Sequence, residues 1–233
     1  MPAAHVQSAG AFDTSVLSTE TLRVTLGTTT SGNMLVVSVG TYVGAGGHPT
    51  FTVTDEFGNS WTSAVREPDL PAEGTLETFY AVNITGGATH FIDIQPSATC
   101  SMTAIASELS GVATSSPVTG TPNSGSAASG PATSGNTTTT DADAILYSAG
   151  YDEATQTNFT PEAGWTEQSE VDNTSGETLS VATRVVAATG TYSHTWGGKA
   201  DADNWRANIV GFKAAAGGGG AATYPGADGC GVF

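Results

Sequence analysis

Apolar and polar side chains alternate along most of this chain with a period of two rather than 3.6. Thr21 to Leu26 is the clearest case: Leu22, Val24 and Leu26 fall on one face and Thr21, Arg23 and Thr25 on the other, which predicts a strand with one buried face. Asn33 to Val43, NMLVVSVGTYV, is a continuous apolar run, short and rich in β-branched residues, and predicts a central strand buried on both faces. His5 to Ala9, Ser60 to Arg66, Thr75 to Val82, His90 to Ile94 and Cys100 to Leu109 read as further strands. No segment combines helical periodicity with capping residues.

Turn chemistry separates these runs. In Thr52 to Thr62, TVTDEFGNSWT, an alternating strand enters Asp55, Phe57-Gly58-Asn59 supplies a turn and Ser60-Trp61-Thr62 starts the return, so a β-hairpin is predicted. A second hairpin is predicted around Thr85-Gly86-Gly87. Gly44 to Pro49 reads as a turn, and in EPDLPAEG the residues Pro68 and Pro71 end ladder pairing.

The second part of the chain replays the first. Trp165 follows Trp61 by 165 − 61 = 104 residues, Thr189-Gly190 follows Thr85-Gly86 by 104, and Thr178-Leu179 follows Thr75-Leu76 by 178 − 75 = 103. Ala144 to Gly150 matches Met34 to Gly40 at 144 − 34 = 110, and Val210-Gly211 matches Ser110-Gly111 at 210 − 110 = 100. Between the halves, Val112 to Thr140 is almost all Ser, Thr, Gly, Pro and Ala, and reads as a surface connection with at most one strand at its end. The expected fold is all-β: a single large antiparallel β-sandwich of about ten strands, jelly-roll-like, each half contributing to both sheets. It spans residues 1–213, with halves 1–112 and 141–213 joined by 113–140, and 214–233 as a spacer and tail. Two small Ig-like sandwiches in tandem are the alternative; the first half shows no independent closure, which favours the single sandwich.

Composition narrows the function classes. Charged residues are 12% of the chain, and 22 acidic against 6 basic residues give a formal charge of −16, which repels a phosphate backbone and argues against nucleic-acid binding. No 18-residue apolar run is present and the N-terminus lacks an export-signal pattern, so no membrane association is expected, and release within an assembled particle is favoured over secretion. Cys100 and Cys230 are either bridged, pinning the tail, or two free thiols.

Candidate chemistry is sparse. Asp141 and Asp143, with Asp201 and Asp203, offer hard oxygen ligands in DADA and DADN, weak candidates for Ca²⁺ without the full calcium-loop pattern; no cofactor is otherwise expected. No G-x-S-x-G occurs, the histidines His5, His48, His90 and His194 lack zinc spacing, and no motif pairs two carboxylates, so no enzymatic activity is expected. Trp61 and Trp165 are expected in the core, whereas Trp196, beside Gly197-Gly198, is the candidate exposed ring for glycan stacking. After the last strand, AAAGGGG is a flexible spacer and AATYPGADGCGVF a tail whose Tyr224, Pro225, Cys230, Val232 and Phe233 are candidate docking residues.

VTDEFGNSWT, TFYAVNITGG, ELSGVATSSPVTG and the closing WRANIVGFK together resemble β-sandwich modules of bacterial surface proteins and of tailed-phage virion proteins, over about residues 5–213. The resemblance implies fold more than function. It carries over no catalytic residue. With the missing export signal and the Ser/Thr/Gly-rich, charge-poor surface, the expectation is a non-enzymatic structural protein at a virion surface. Such a decoration, cement or fibre protein would contact a capsid or other virion protein and copies of itself, with a homotrimer as the first guess. The alternative is an extracellular carbohydrate-binding or adhesive module.

Overall fold

The computed structural model describes residues 2–43, 47–67, 74–153, 158–173, 176–198 and 204–216. The first half contains β1 (Ala4–Val16), β2 (Leu22–Leu26), β3 (Met34–Tyr42), β4 (Phe51–Asp55), β5 (Thr62–Glu67), β6 (Thr75–Ala81), β7 (His90–Pro96) and β8 (Cys100–Ser110). The second contains β9 (Val118–Ala127), β10 (Ala132–Thr133), β11 (Thr137–Thr139), β12 (Ala144–Asp152), β13 (Thr160–Pro161), β14 (Thr166–Asp172), β15 (Thr178–Val186), β16 (Gly190–Tyr192), β17 (Thr195–Gly197) and β18 (Trp205–Lys213). The protein is all-β and antiparallel, as its period-two patterning requires.

The strand order differs from the expected jelly-roll-like arrangement, because each half builds its own pair of layers. The first half forms a five-stranded sheet, β1-β8-β3-β6-β5, covered by a three-stranded one, β2-β7-β4. The second repeats the larger sheet as β9-β18-β12-β15-β14 and covers it with two fragments, β10-β17-β13 and β11-β16.

Three apolar cores separate four layers. Val24, Leu26, Leu35, Val37, Ile92 and Met102 fill the space between the first half's sheets. Leu146, Phe159, Trp165, Trp196 and Ile209 do the same in the second. The third core joins the halves: Met34, Val36, Leu76, Ile105 and Leu109 meet Tyr147, Tyr151, Leu179, Val210 and Phe212, so the two five-stranded sheets pack face to face. This explains why β3 and β12 are apolar on both sides.

Both predicted hairpins are instead crossings between layers. β4 belongs to the outer sheet and β5 to the inner one, and likewise β6 is inner and β7 outer. The Asp55 carboxylate holds the first crossing: Oδ1 accepts from Phe57 N at 2.9 Å and Asn59 N at 3.1 Å, and Oδ2 from Trp61 Nε1 at 2.9 Å. Asn59 ties it to the second, donating to Thr85 O at 3.2 Å and accepting from Thr85 N at 2.8 Å.

The segment 113–140 is more than a connection, since β9, β10 and β11 lie within it. β9 takes the place of β1 by pairing with β18 along Trp205↔Ala127 to Phe212↔Val118. The repeat is also offset by one residue from the match read in the sequence. Gly40 pairs with Leu76 and Thr103, and Tyr151 pairs with Leu179 and Arg206. The partners are 179 − 76 = 103 and 206 − 103 = 103 apart, which makes Tyr151, not Gly150, the counterpart of Gly40 at 151 − 40 = 111. In a strand a one-residue slip reverses every face; accordingly Met34 lies in the central core and Ala144 in the outer one.

Candidate functional site

The residues best suited to chemistry lie at the layer crossings. In the first half Thr29 Oγ1 is 2.9 Å from His90 Nδ1, and His90 Nε2 is 3.8 Å from Asp55 Oδ2, with both the His90 and Asp55 side chains fully buried. Type and order suggest a nucleophile, base and acid. The environment argues otherwise: Thr29 is only 4% exposed, and its hydroxyl accepts the Gly87 N–H at 3.2 Å. Asp55 is also spent on the turn and on Trp61, and Phe57 closes over His90 edge-on at 4.9 Å. The cluster holds the β2–β3 loop, β4, β7 and the crossing together.

The second half has the histidine without the acid. His194 follows His90 by 194 − 90 = 104, the spacing of Trp165 and Trp61, but β13 reads Thr160–Pro161 and brings no carboxylate. His194 is stacked on Trp165 at 4.1 Å and 11°, and contacts Trp196 at 4.2 Å. Among the described residues neither ring nitrogen has a hydrogen-bond partner, and burial pushes its pKa down to about 3. The neutral ring is therefore a core element.

Trp196, expected as an exposed stacking ring, is 0% exposed. It packs against Phe159 at 5.4 Å and over Gly150, where a Cβ would stand 2.8 Å from its Nε1. Gly150 makes room for the indole, and the ring is not available to a sugar. Trp61 is half-buried and tied to Asp55, and Trp165 and Trp205 are buried, so the core assignment of the repeat tryptophans stands.

Of the calcium candidates, Asp141 accepts from Thr119 Oγ1 at 2.8 Å and Thr140 Oγ1 at 3.1 Å, and these bonds, with nearby Lys213, hold its pKa below the usual carboxylate range. Asp143 has a left-handed backbone, φ 55°. Among the described residues, no three or more His, Cys, Asp or Glu side chains are grouped as a metal site. Asp201 and Asp203 lie outside the described residues. So do Pro68 and Pro71 and the tail with Tyr224, Pro225, Cys230, Val232 and Phe233, and with them the Cys100–Cys230 pairing. Cys100 is a buried thiol whose pKa burial raises to about 12.

Buried carboxylates that spacing did not single out prove structural. Glu108, fully buried in β8, accepts from Gln7 Nε2 at 2.7 Å, Thr30 N at 2.8 Å and Asn33 Nδ2 at 2.6 Å, fastening the neighbouring β1 and the β2–β3 loop to β8. Glu77 accepts from Ser63 Oγ at 2.6 Å. Arg206 is paired with Glu153, which also accepts from Asn204. Across the central core, Asn208 Nδ2 donates to Thr78 Oγ1 at 3.0 Å and Thr78 donates back at 3.2 Å.

An open cleft of about 650 Å³ lies where the chain leaves β18, lined by Ala113–Ser115, Asp141, Ala142 and Lys213 to Ala216. Its lining is mostly small residues with one opposed charge pair. No protein-family model, no curated protein and no solved structure matches this chain.

Proposed function

We propose that this is a non-enzymatic structural protein of a virus particle, a decoration, cement or fibre component that works through contacts with a capsid or other virion protein and with copies of itself. One observation carries the reading: the side chains suited to chemistry are consumed between layers, as in Thr29–His90–Asp55, Glu108 and His194, rather than gathered in a cleft. Four sheet layers joined by three cores make a stiff slab. Its charge of −16 favours solubility and discourages non-specific adhesion.

The test is immunogold labelling of source material with antibodies raised against the purified chain. Labelled virus particles are the expected outcome. Labelling confined to cell envelopes, together with selective binding on a glycan array, would overturn this reading in favour of an extracellular carbohydrate-binding or adhesive module.

A further inference from the structure

In a regular strand, residues three apart such as His5 and Ser8 point to opposite faces. β1 is not regular there. His5 pairs with Leu109, Gln7 with Glu108 and Ser8 with Ser107, so Val6 is an extra residue, a β-bulge between His5 and Gln7. Cross-strand partners share a face, which puts His5 and Ser8 together on the central-core side with Leu109. Gln7 points the other way, donating to Glu108 and to Thr28 O.

The bulge thereby builds a hydroxyl–imidazole pair. Ser8 Oγ is 2.7 Å from His5 Nε2 and 2.8 Å from Ser107 Oγ, and Ser107 Oγ is 3.4 Å from the Tyr147 hydroxyl. Burial lowers the His5 pKa from its ordinary 6.5, against the opposing effect of a backbone hydrogen bond with Gln7, so the ring is neutral at pH 7. With its proton on Nδ1, the ring leaves Nε2 to accept from Ser8, whose oxygen accepts from Ser107 in turn. A nucleophile and its base are then within hydrogen-bond reach. Thr29 and His90 offer the same chemistry but are sealed in the core. Ser8 and His5 are half-buried, and the nearby Val6 and Phe12 are 48% and 40% exposed.

We propose that Ser8 is an acyl-acceptor site, which takes an acyl group from an uncharged activated ester with His5 as its base. In the transfer, Ser8 Oγ bonds to the carbonyl carbon as its proton passes to His5 Nε2. The bond from that carbon to the leaving alcohol then breaks, and the alcohol departs with the proton from His5. Charge narrows the donor, because a chain carrying −16 repels an anionic acyl carrier. The neighbours narrow the acyl group. Phe12 shares the face of Ser8, and Val171 of β14 occupies the space a Gly10 Cβ would need between them, so a short apolar acyl group meets apolar surface. One transfer needs only the nucleophile and base, whereas turnover also needs a directed water and donors to the oxyanion. The product is therefore a stable acyl-serine. This inference goes beyond the structural-protein reading and is independent of it.

The experiment is incubation of the full chain with p-nitrophenyl butyrate at pH 7, following release of p-nitrophenolate and locating the adduct by peptide mass spectrometry. A single burst is expected, with a butyryl ester on Ser8 that hydroxylamine removes and with Thr29 unmodified. His5→Gln should slow formation of the Ser8 adduct about a hundredfold, the low end of general-base catalysis. Deletion of Val6, which returns His5 to the opposite face, should slow it similarly although both residues remain. Circular dichroism checks that each variant is folded. No adduct on Ser8, or one that forms as fast in His5→Gln or in the deletion variant, would overturn the proposal.

Discussion

Gly40 and Tyr151 occupy the same position in their respective halves and touch each other across the central core. Gly40 lies between Leu76 and Thr103 in its sheet, Tyr151 between Leu179 and Arg206, and the Tyr151 ring fills the space where a Gly40 Cβ would stand. Where two copies of one motif pack face to face, such a position meets its own counterpart, so one partner must be small when the other is large. Gly40→Ala should therefore destabilise by about 1–3 kcal/mol, the usual range for overpacking. In Gly40→Ala/Tyr151→Leu the combined penalty should be less than the sum of the two, because the smaller side chain relieves the clash. Urea unfolding of the four species measures this coupling; additive penalties would refute the contact.

Glu108 makes a second test, since all three of its partners donate. Glu108→Gln introduces an N–H where only acceptors fit, and Glu108→Ala leaves the Thr30 N–H and the Asn33 amide without their acceptor. Either should cost about 2–4 kcal/mol, the loss expected when a buried, hydrogen-bonded charge loses its role. Hydrogen exchange should locate the damage, with Thr30 losing protection while the second half keeps its own.

One buried and one half-buried group give the stability opposite pH dependences. His194 has its folded pKa depressed from 6.5 to about 3, so its contribution is complete above pH 6.5 and is lost as pH falls towards 3. At full loss this is on the order of 4 kcal/mol. Glu170 is raised by burial from 4.5 to about 7, so its contribution is complete below pH 4.5 and is lost as pH rises through 7. Glu170 is half-buried, which reduces its effect to about 1–2 kcal/mol. His194→Phe should flatten the acid limb below pH 6.5, and Glu170→Gln should raise the melting temperature at pH 8 but not at pH 4. Thermal melts of both variants at these pH values check the signs separately.

Local patterning discloses the strands and conceals their partners. Leu22, Val24 and Leu26 alternate because one face of β2 is buried, and the apolar run of β3 marks a strand between two cores. Period two is silent about which sheet a strand joins, and Phe57-Gly58-Asn59 serves a crossing as well as a hairpin, so the layer order is not legible. β9, VTGTPNSGSA, gives no apolar signal because ladder bonds to β18 hold it rather than apolar burial. Trp196 looks exposed beside two glycines, and the reason that it is not, the space above Gly150, lies 196 − 150 = 46 residues away. Glu108 likewise depends on Gln7, 101 residues distant.

The central core makes the halves depend on each other, and this can be tested by separating them. Residues 2–112 contain both sheets of the first sandwich, but alone they expose Met34, Val36, Leu76, Ile105 and Leu109, which in the full chain are at most 1% exposed beneath Phe212 and its neighbours. Exposed apolar patches of this kind mark interaction surfaces or aggregation liabilities. The isolated half should consequently self-associate or unfold at lower urea than the full chain, and co-expression with residues 113–216 should restore a soluble one-to-one complex. Tyr147→Asp in the second piece should abolish that rescue, because it sets a charge beside Ser107, whose hydroxyl lies 3.4 Å from the Tyr147 hydroxyl. Light scattering and urea titration of the separate and combined pieces give the measurement, and a monomeric first half as stable as the full chain would show that the central core contributes little.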